Sequence, residues 1–212
     1  MLGSLLPPSV TTAEAWADDP AETVFPGEED LIARAGDGRR REFLTSRRCA
    51  REALAALGVP AVPIRPGPRR EPLWPAGVAG SITHCTGYRA AAVGRVTDVA
   101  GIGIDAEPHA PLPPRVLGAV TAPGDVEHLE ALTAADPGTH WDRLLFSAKE
   151  SVYKVWYPLT GRWLGFGDAA LEIDPVERTF TARILVPAPF PTLTGRWLVD
   201  RDLVVTAIAR QE

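Results

Sequence analysis

The period of the apolar positions changes several times along the chain, and each change marks an element. Residues 29–57 repeat at helical spacing, with Gly58 before "VP" as the stop. Residues 62–77, "VPIRPGPRREPLWPAG", carry five prolines and read as a loop. Three strand-like runs follow: "GVAGSITH" (77–84), "RAAAVGRV" (89–96) and "VAGIGIDAE" (99–107). Only short turns separate them, which predicts a meander. A second proline-rich loop, "PHAPLPPR", leads into helical periods near 114–121, 124–134 and 139–157. Later strands are expected at 169–174, 178–186, 195–200 and 202–210, with "DRD" at 200–202 joining the last two as a hairpin. Residues 1–28 are rich in Pro and acids and read as an extended arm with one short helix at most. Each half thus runs helix, loop, strands. That predicts an α+β fold of two similar lobes, residues 1–103 with the arm and residues 104–212.

Composition narrows the classes. At 212 residues and 45% hydrophobic, the chain can bury a sizeable core. A net charge of −5 argues against nonspecific binding to nucleic acid or an anionic membrane. No apolar run reaches the length of a membrane span, and "MLGSLLPPSV" lacks the basic start and apolar core of a signal peptide. Cys49 and Cys85 are too few for a disulfide framework, so a reducing cytoplasm is expected.

Four segments carry candidate chemistry. In "GIGIDAEP" (101–108) the alternation turns Asp105 and Glu107 to one face at a strand end. Two acids so close repel unless a cation or a shared proton lies between them. Oxygen ligands in that number suit a hard cation such as Mg²⁺, which fills the rest of its sphere with phosphate and water. The other reading is a solvated strand end. In "FSAKESVYKVWYPL" (146–159), Val152, Val155, Trp156 and Leu159 form a buried stripe, with Glu150 and Lys154 on the opposite face and Lys149 beside them. Here the competing reading is local: Ser147 and Glu150 as a capping box, Glu150 and Lys154 as a helical ion pair.

Six arginines and one acid, Glu42, fall between residues 39 and 51. Arg40, Arg47 and Arg51 share an arc beside the stripe of Phe43, Ala50, Leu54 and Leu57, positioned for a cleft rather than for open solvent. Guanidinium groups match phosphate by their fork geometry, and Arg65, Arg69 and Arg70 follow in the next loop. In "GSITHC" (80–85), His84 ends a strand near Ser81 and Thr83. The His and Cys residues do not cluster as a zinc site requires, and no phosphate-binding glycine loop is present.

Taken together, "GIGIDAE", "FSAKESVYK" some 40 residues on, and "GSITHC" resemble the 4'-phosphopantetheinyl transferases of the double-length, Sfp/EntD-like group. The stretches "REFLTSRRCAREALAALGVP", "EPLWPAGVAGSITHCTGYRAAAVG" and "PLTGRWLGFGDA" are similar to its actinobacterial branch, so the resemblance covers about residues 30 to 210. It implies two lobes with pseudo-twofold symmetry and an active site in the cleft between them. It also implies transfer of the phosphopantetheine arm of coenzyme A to a serine of an apo acyl or peptidyl carrier protein, releasing 3',5'-ADP. Asp105, Glu107 and Glu150 would hold Mg²⁺, or Mn²⁺ in its place. Lys149, Lys154, Thr83 and His84 would contact phosphates. Arg40, Arg47 and Arg69, with Arg51 of the same arc, would hold the nucleotide. Glu150 is the expected base, and Lys154 the group that stabilises the leaving phosphate. Double length implies a monomer, and the segment 112–136 is the expected carrier surface. A non-catalytic module that binds coenzyme A or a carrier, and a Mg²⁺-dependent pyrophosphate hydrolase, are the alternative classes.

Overall fold

Two antiparallel sheets, each backed by one 20-residue helix, form the fold of residues 1–211, which a computed structural model describes (the side chain of residue 114 excepted). The first sheet holds β1 (Val10–Ala15), β2 (Val78–Cys85) and β3 (Tyr88–Arg95) in the order β1-β3-β2. Before β2 come a short α1 (Glu29–Ile32) and the long α2 (Asp37–Ala56). The second sheet holds β4 (Gly101–Pro108), β5 (Ala169–Asp174), β6 (Thr179–Ile184), β7 (Thr192–Asp200) and β8 (Leu203–Arg210) in the order β4-β8-β7-β6-β5. Between β4 and β5 lie α3 (Pro114–Val120), α4 (Asp125–Ala135) and α5 (Trp141–Thr160). In both sheets the first strand pairs with the last, and the last with the one before it. The same topology therefore occurs twice in this α+β fold.

The helices fold as their stripes dictate. Ala50, Ala53 and Leu54 of α2 pack with Ile64, Ala91 and Val93 under the first sheet. Leu144, Leu145, Ala148, Val152, Val155 and Trp156 of α5 pack into the second sheet. The expected stripe ends one turn early, because Leu159 is 38% exposed. The β7–β8 hairpin forms as expected. Arg201 and Asp202 take left-handed φ values of 50° and 58°, the twist that two-residue hairpin turns require.

Two expectations are corrected. The segment 1–28 is not an arm throughout: Leu2–Leu5 form a 3-10 turn, and Val10–Ala15 pair along β3 from Val10↔Gly94 to Ala15↔Arg89. Leu2 and Leu5 are buried, which anchors the turn. Nor are β2, β3 and β4 a meander. After β3 the chain crosses to the second sheet, where β4 pairs with β8 from Gly101↔Arg210 to Pro108↔Leu203. The expected division between residues 103 and 104 falls within this strand.

Alternation along β4 explains the glycines. Ile102, Ile104 and Ala106 enter an apolar cluster with Val10, Tyr88 and Leu203. Gly101, Gly103, Asp105 and Glu107 face the other way, toward α5. A Cβ on Gly101 would stand 3.0 Å from Leu159 and 3.1 Å from Val155, and one on Gly103 would overlap the carbonyl oxygen of Ser151. The missing side chains let α5 lie directly on the strand, with its backbone level with Gly103.

The two sheets meet where β2 runs beside β4. Among the described residues no backbone ladder joins them. Instead Ser81 Oγ accepts from the Ile104 amide (3.1 Å) and Thr83 Oγ1 from the Ala106 amide (2.9 Å). Both hydroxyls are buried with their residues. The next turn of both strands opens into the cleft.

Candidate active site

A cleft of about 960 Å³ lies between the two sheets. Asp105 and Glu107 of β4, with Phe146, Glu150, Tyr153 and Lys154 of α5, form one wall. Arg39, Phe43 and Arg47 of α2, Arg69 and Arg70 of the loop between α2 and β2, and Thr83 and His84 of β2 form the other.

Because α5 rests on Gly103, its cleft-facing side chains come down beside the acids. Lys154 Nζ donates to Asp105 Oδ1 at 2.8 Å and to the Ile104 carbonyl at 2.9 Å. An ammonium has three donors, so one N–H is left for the cleft. Thr83 Oγ1 stands 3.4 Å from Asp105 Oδ1. Asp105 Oδ2 is buried and meets no hydrogen-bond donor among the described residues. Glu107 is held by Arg143, with Nη1 3.0 Å from Oε2. Burial raises the Glu150 carboxyl above the ordinary range, and the charge of Asp105 adds to the rise while Lys154 opposes it. Glu107 is raised by the same two causes, against the pull of Arg143.

Both local readings of Glu150 are excluded. The helix begins at Trp141, so Ser147 lies two turns inside it and cannot cap it. Ser147 Oγ bonds Thr206 Oγ1 across to β8 at 3.0 Å. Lys154 pairs with Asp105 and not with Glu150. Glu150 is therefore free to serve the cleft.

On the opposite wall, Arg47 lies over the Phe43 ring at 3.8 Å, with its Nε buried and without an acceptor. Burial lowers its guanidinium to about 10, with Arg39 and Arg51 contributing. The charge of Glu28 opposes that fall, and Arg47 remains a cation at neutral pH. His84 Nε2 lies 3.3 Å from Arg39 Nη1, and Nδ1 lies 3.3 Å from Glu42. Arginine only donates and a carboxylate only accepts, so a neutral ring protonated on Nδ1 satisfies both. Desolvation, then Arg39, Lys154 and Arg89, lower its pKa to about 4, so the neutral ring persists through the physiological range.

The structure does not bring three expected residues to the cleft. Lys149 points away: it is 3% exposed, 2.5 Å from Asp125 Oδ2 and 2.8 Å from the Phe166 carbonyl. Asp125 also accepts from the amides of Ala122 and Leu171, so the pair braces α4, α5 and β5. Burial lowers the Lys149 pKa and Asp125 opposes that. Arg51 is turned to the buried Glu28 at 3.1 Å, which also receives the Ile64 amide at 2.6 Å. Arg40 is exposed outside the cleft. Its place is taken by Arg39, because the row of α2 that borders the cleft runs 39, 43, 47 at steps of four. Arg70, named with the loop arginines, also lines the cleft, and Arg143, which the sequence did not single out, reaches the site through Glu107. Arg143 stands two helical turns before Glu150, a spacing that puts both on one face.

All the acidic oxygens here are hard donors. Among the described residues no three of His, Cys, Asp and Glu stand close enough to form a ready cage. Yet Asp105, whose Oδ2 meets no donor among the described residues, shares the cleft with Glu107 and Glu150, whose carboxyls are raised by burial and then by its charge. The set fits a divalent cation that takes part of its sphere from phosphate and water.

Two family models match the chain in succession. The 4'-phosphopantetheinyl transferase N-terminal domain covers residues 27–94, and the 4'-phosphopantetheinyl transferase superfamily covers residues 101–207. The chain belongs to the 4'-phosphopantetheinyl transferase superfamily and is a transferase of that group. It is similar along its length to actinobacterial members. It is 52% identical to 4'-phosphopantetheinyl transferase Svp of Streptomyces mobaraensis, over 99% of this chain and 89% of that protein. It is 48% identical to 4'-phosphopantetheinyl transferase PptT of Mycobacterium tuberculosis, over 98% and 97%. Enterobactin synthase component D of Salmonella typhi is more distant, at 37% identity over 85% of this chain and 76% of that protein.

Proposed function

We propose that the protein moves the 4'-phosphopantetheine arm of coenzyme A onto a serine of an apo acyl or peptidyl carrier protein and releases 3',5'-ADP. The observation that carries this reading is the opposition of two charge sets across one cleft. Arg39, Arg47, Arg69 and Arg70 form a basic wall for a phosphorylated nucleotide. Asp105, Glu107 and Glu150 face it with Lys154 among them. The volume suits a nucleotide and part of its arm.

The chain's own groups divide the work. Arginines fix the nucleotide by charge-assisted bonds. Lys154, steadied by Asp105 and the Ile104 carbonyl, offers its third N–H to the phosphate that leaves. Glu150, with its raised pKa, takes the proton of the incoming serine hydroxyl. The serine oxygen bonds to the phosphorus that carries the arm, the diphosphate P–O bond breaks, and the electron pair departs with 3',5'-ADP. Asp105, Glu107 and Glu150 would hold Mg²⁺ or Mn²⁺, which when bound neutralises the diphosphate oxygens. One chain supplies both walls, so a monomer suffices. The carrier is expected to dock along residues 112–136.

Incubation with Mg²⁺, coenzyme A and a panel of apo carriers should add the mass of the arm to one serine. No gain on any carrier rejects the reading. Coenzyme A binding without turnover would mark a binding module, and ADP release without a carrier would mark a hydrolase. A narrower test concerns Arg47. Charge reversal, Arg47→Glu, should raise the KM for coenzyme A by roughly 10- to 100-fold, the range for losing a charged hydrogen bond, while kcat changes only a few-fold. An unchanged KM would remove Arg47 from the nucleotide site.

A further inference from the structure

Glu107 is the acid of the trio that is tied to a guanidinium, and each of the three nitrogens of that guanidinium donates a bond. Arg143 Nη1 donates to Glu107 Oε2, Nε to the Ala110 carbonyl and Nη2 to the Pro111 carbonyl, each at 3.0 Å. The side chains of Arg143 and Glu107 are only 15% and 22% exposed. The neighbouring Asp142 accepts from the Leu112 amide at 2.8 Å. The first turn of α5 is thereby riveted to the segment that continues β4. Lysine could not make the same set of bonds, because three coplanar donors on a rigid fork belong to arginine alone. Among the described residues the bond to Oε2 leaves Oε1 without a partner, and Glu107 lines the cleft. Asp105, two residues back on the same face, would repel a Glu107 that was not held.

We propose that Arg143 is a positioning residue for divalent-metal binding: by anchoring one oxygen of Glu107 it fixes the other for the cation. The inference rests on the reading above, that the acid pair takes a metal. Carboxylate ligands elsewhere are oriented in this way, and loss of such an outer partner weakens metal binding by roughly 10- to 100-fold. The competing role is a plain brace for residues 110–112, which would leave metal affinity untouched.

Calorimetric titration of Mn²⁺ into the full chain, alone and with coenzyme A present, separates the two. Arg143→Gln should weaken Mn²⁺ binding about tenfold or more, while coenzyme A binding without metal stays within about twofold. Arg143→Lys, which keeps the charge but not the fork, should fall between that variant and the natural protein. It carries the test if Arg143→Gln does not fold. In a double-mutant cycle, Glu107→Gln combined with Arg143→Gln should bind Mn²⁺ no more weakly than Glu107→Gln alone, since the arginine acts through that carboxylate. Unchanged Mn²⁺ affinity in the foldable Arg143 variants, or full additivity in the cycle, overturns the proposal and leaves the transfer reading standing. A natural protein that binds no Mn²⁺ and makes no holo carrier overturns both.

Discussion

Asp105→Ala is expected to abolish arm transfer, with a fall of roughly 10³-fold or more, and to leave a folded protein. Two consequences follow from that one carboxylate. Its Oδ1 holds Lys154, and its Oδ2, without a donor among the described residues, is an oxygen proposed for a cation. Removing it would take away that proposed ligand and unseat Lys154. Stability changes little because opposing effects meet. The Lys154 pair is lost, but the ammonium is a quarter exposed and keeps the Ile104 carbonyl. Repulsion is relieved at the same time, since the Asp105 charge raises both Glu107 and Glu150. Holo-carrier formation by mass spectrometry and a thermal melt measure the two effects separately. A melting temperature within about 5 °C of the natural protein is expected, on a scale of about 2–4 °C per kcal/mol for a chain this size. A collapse of the fold would mean that Asp105 is a structural residue first.

Gly103→Val carries the opposite signature: a large loss of stability from a residue that bears no chemistry. The first added carbon would overlap the Ser151 carbonyl oxygen, and Val155 Cγ2 would lie 2.8 Å away. Ser151 is helix backbone and cannot rotate aside, so α5 as a whole must lift from β4. Overpacking of this kind costs about 3 kcal/mol, and on the same scale the melting temperature should drop by roughly 6–12 °C. Activity should fall with it even below the melt, because Glu150 and Lys154 ride on the displaced helix. Denaturant titration and holo-carrier assay at low temperature would check both. A variant as stable and as active as the natural protein would show that the strand and helix are not in the contact described.

These outcomes also show what could be read from the residues alone. "GIGIDAE" gave the strand, its two faces and the acid pair. Alternation reveals faces, however, and not neighbours. It could not show that this strand leaves β2 and β3 to pair with β8, nearly 100 residues later. The first strand was hidden by its surroundings, because prolines and acids on either side dominate the composition of residues 1–28. In the site, Glu150, Lys154, Asp105, Glu107, Thr83, His84, Arg47 and Arg69 all line the cleft. Lys149 does not, since its partner is Asp125, a helix-start residue 24 positions earlier that no local pattern connects to it. Arg40 and Arg39 differ by one step on the wheel, and only the packing of α2 decides which borders the cleft.

The hydroxyls of Ser81 and Thr83 set a further property of the molecule. A ladder of main-chain bonds is redundant and indifferent to sequence, but the polar part of this joint, beside the apolar cluster of Tyr88 and Ile104, is two side chains that a single codon change can alter. The gape of the crevice is therefore open to change at position 81, whereas Thr83, 3.4 Å from Asp105 Oδ1, ties the joint to the site itself. An engineer seeking room for a bulkier arm would begin at Ser81, and could leave every charged group in place.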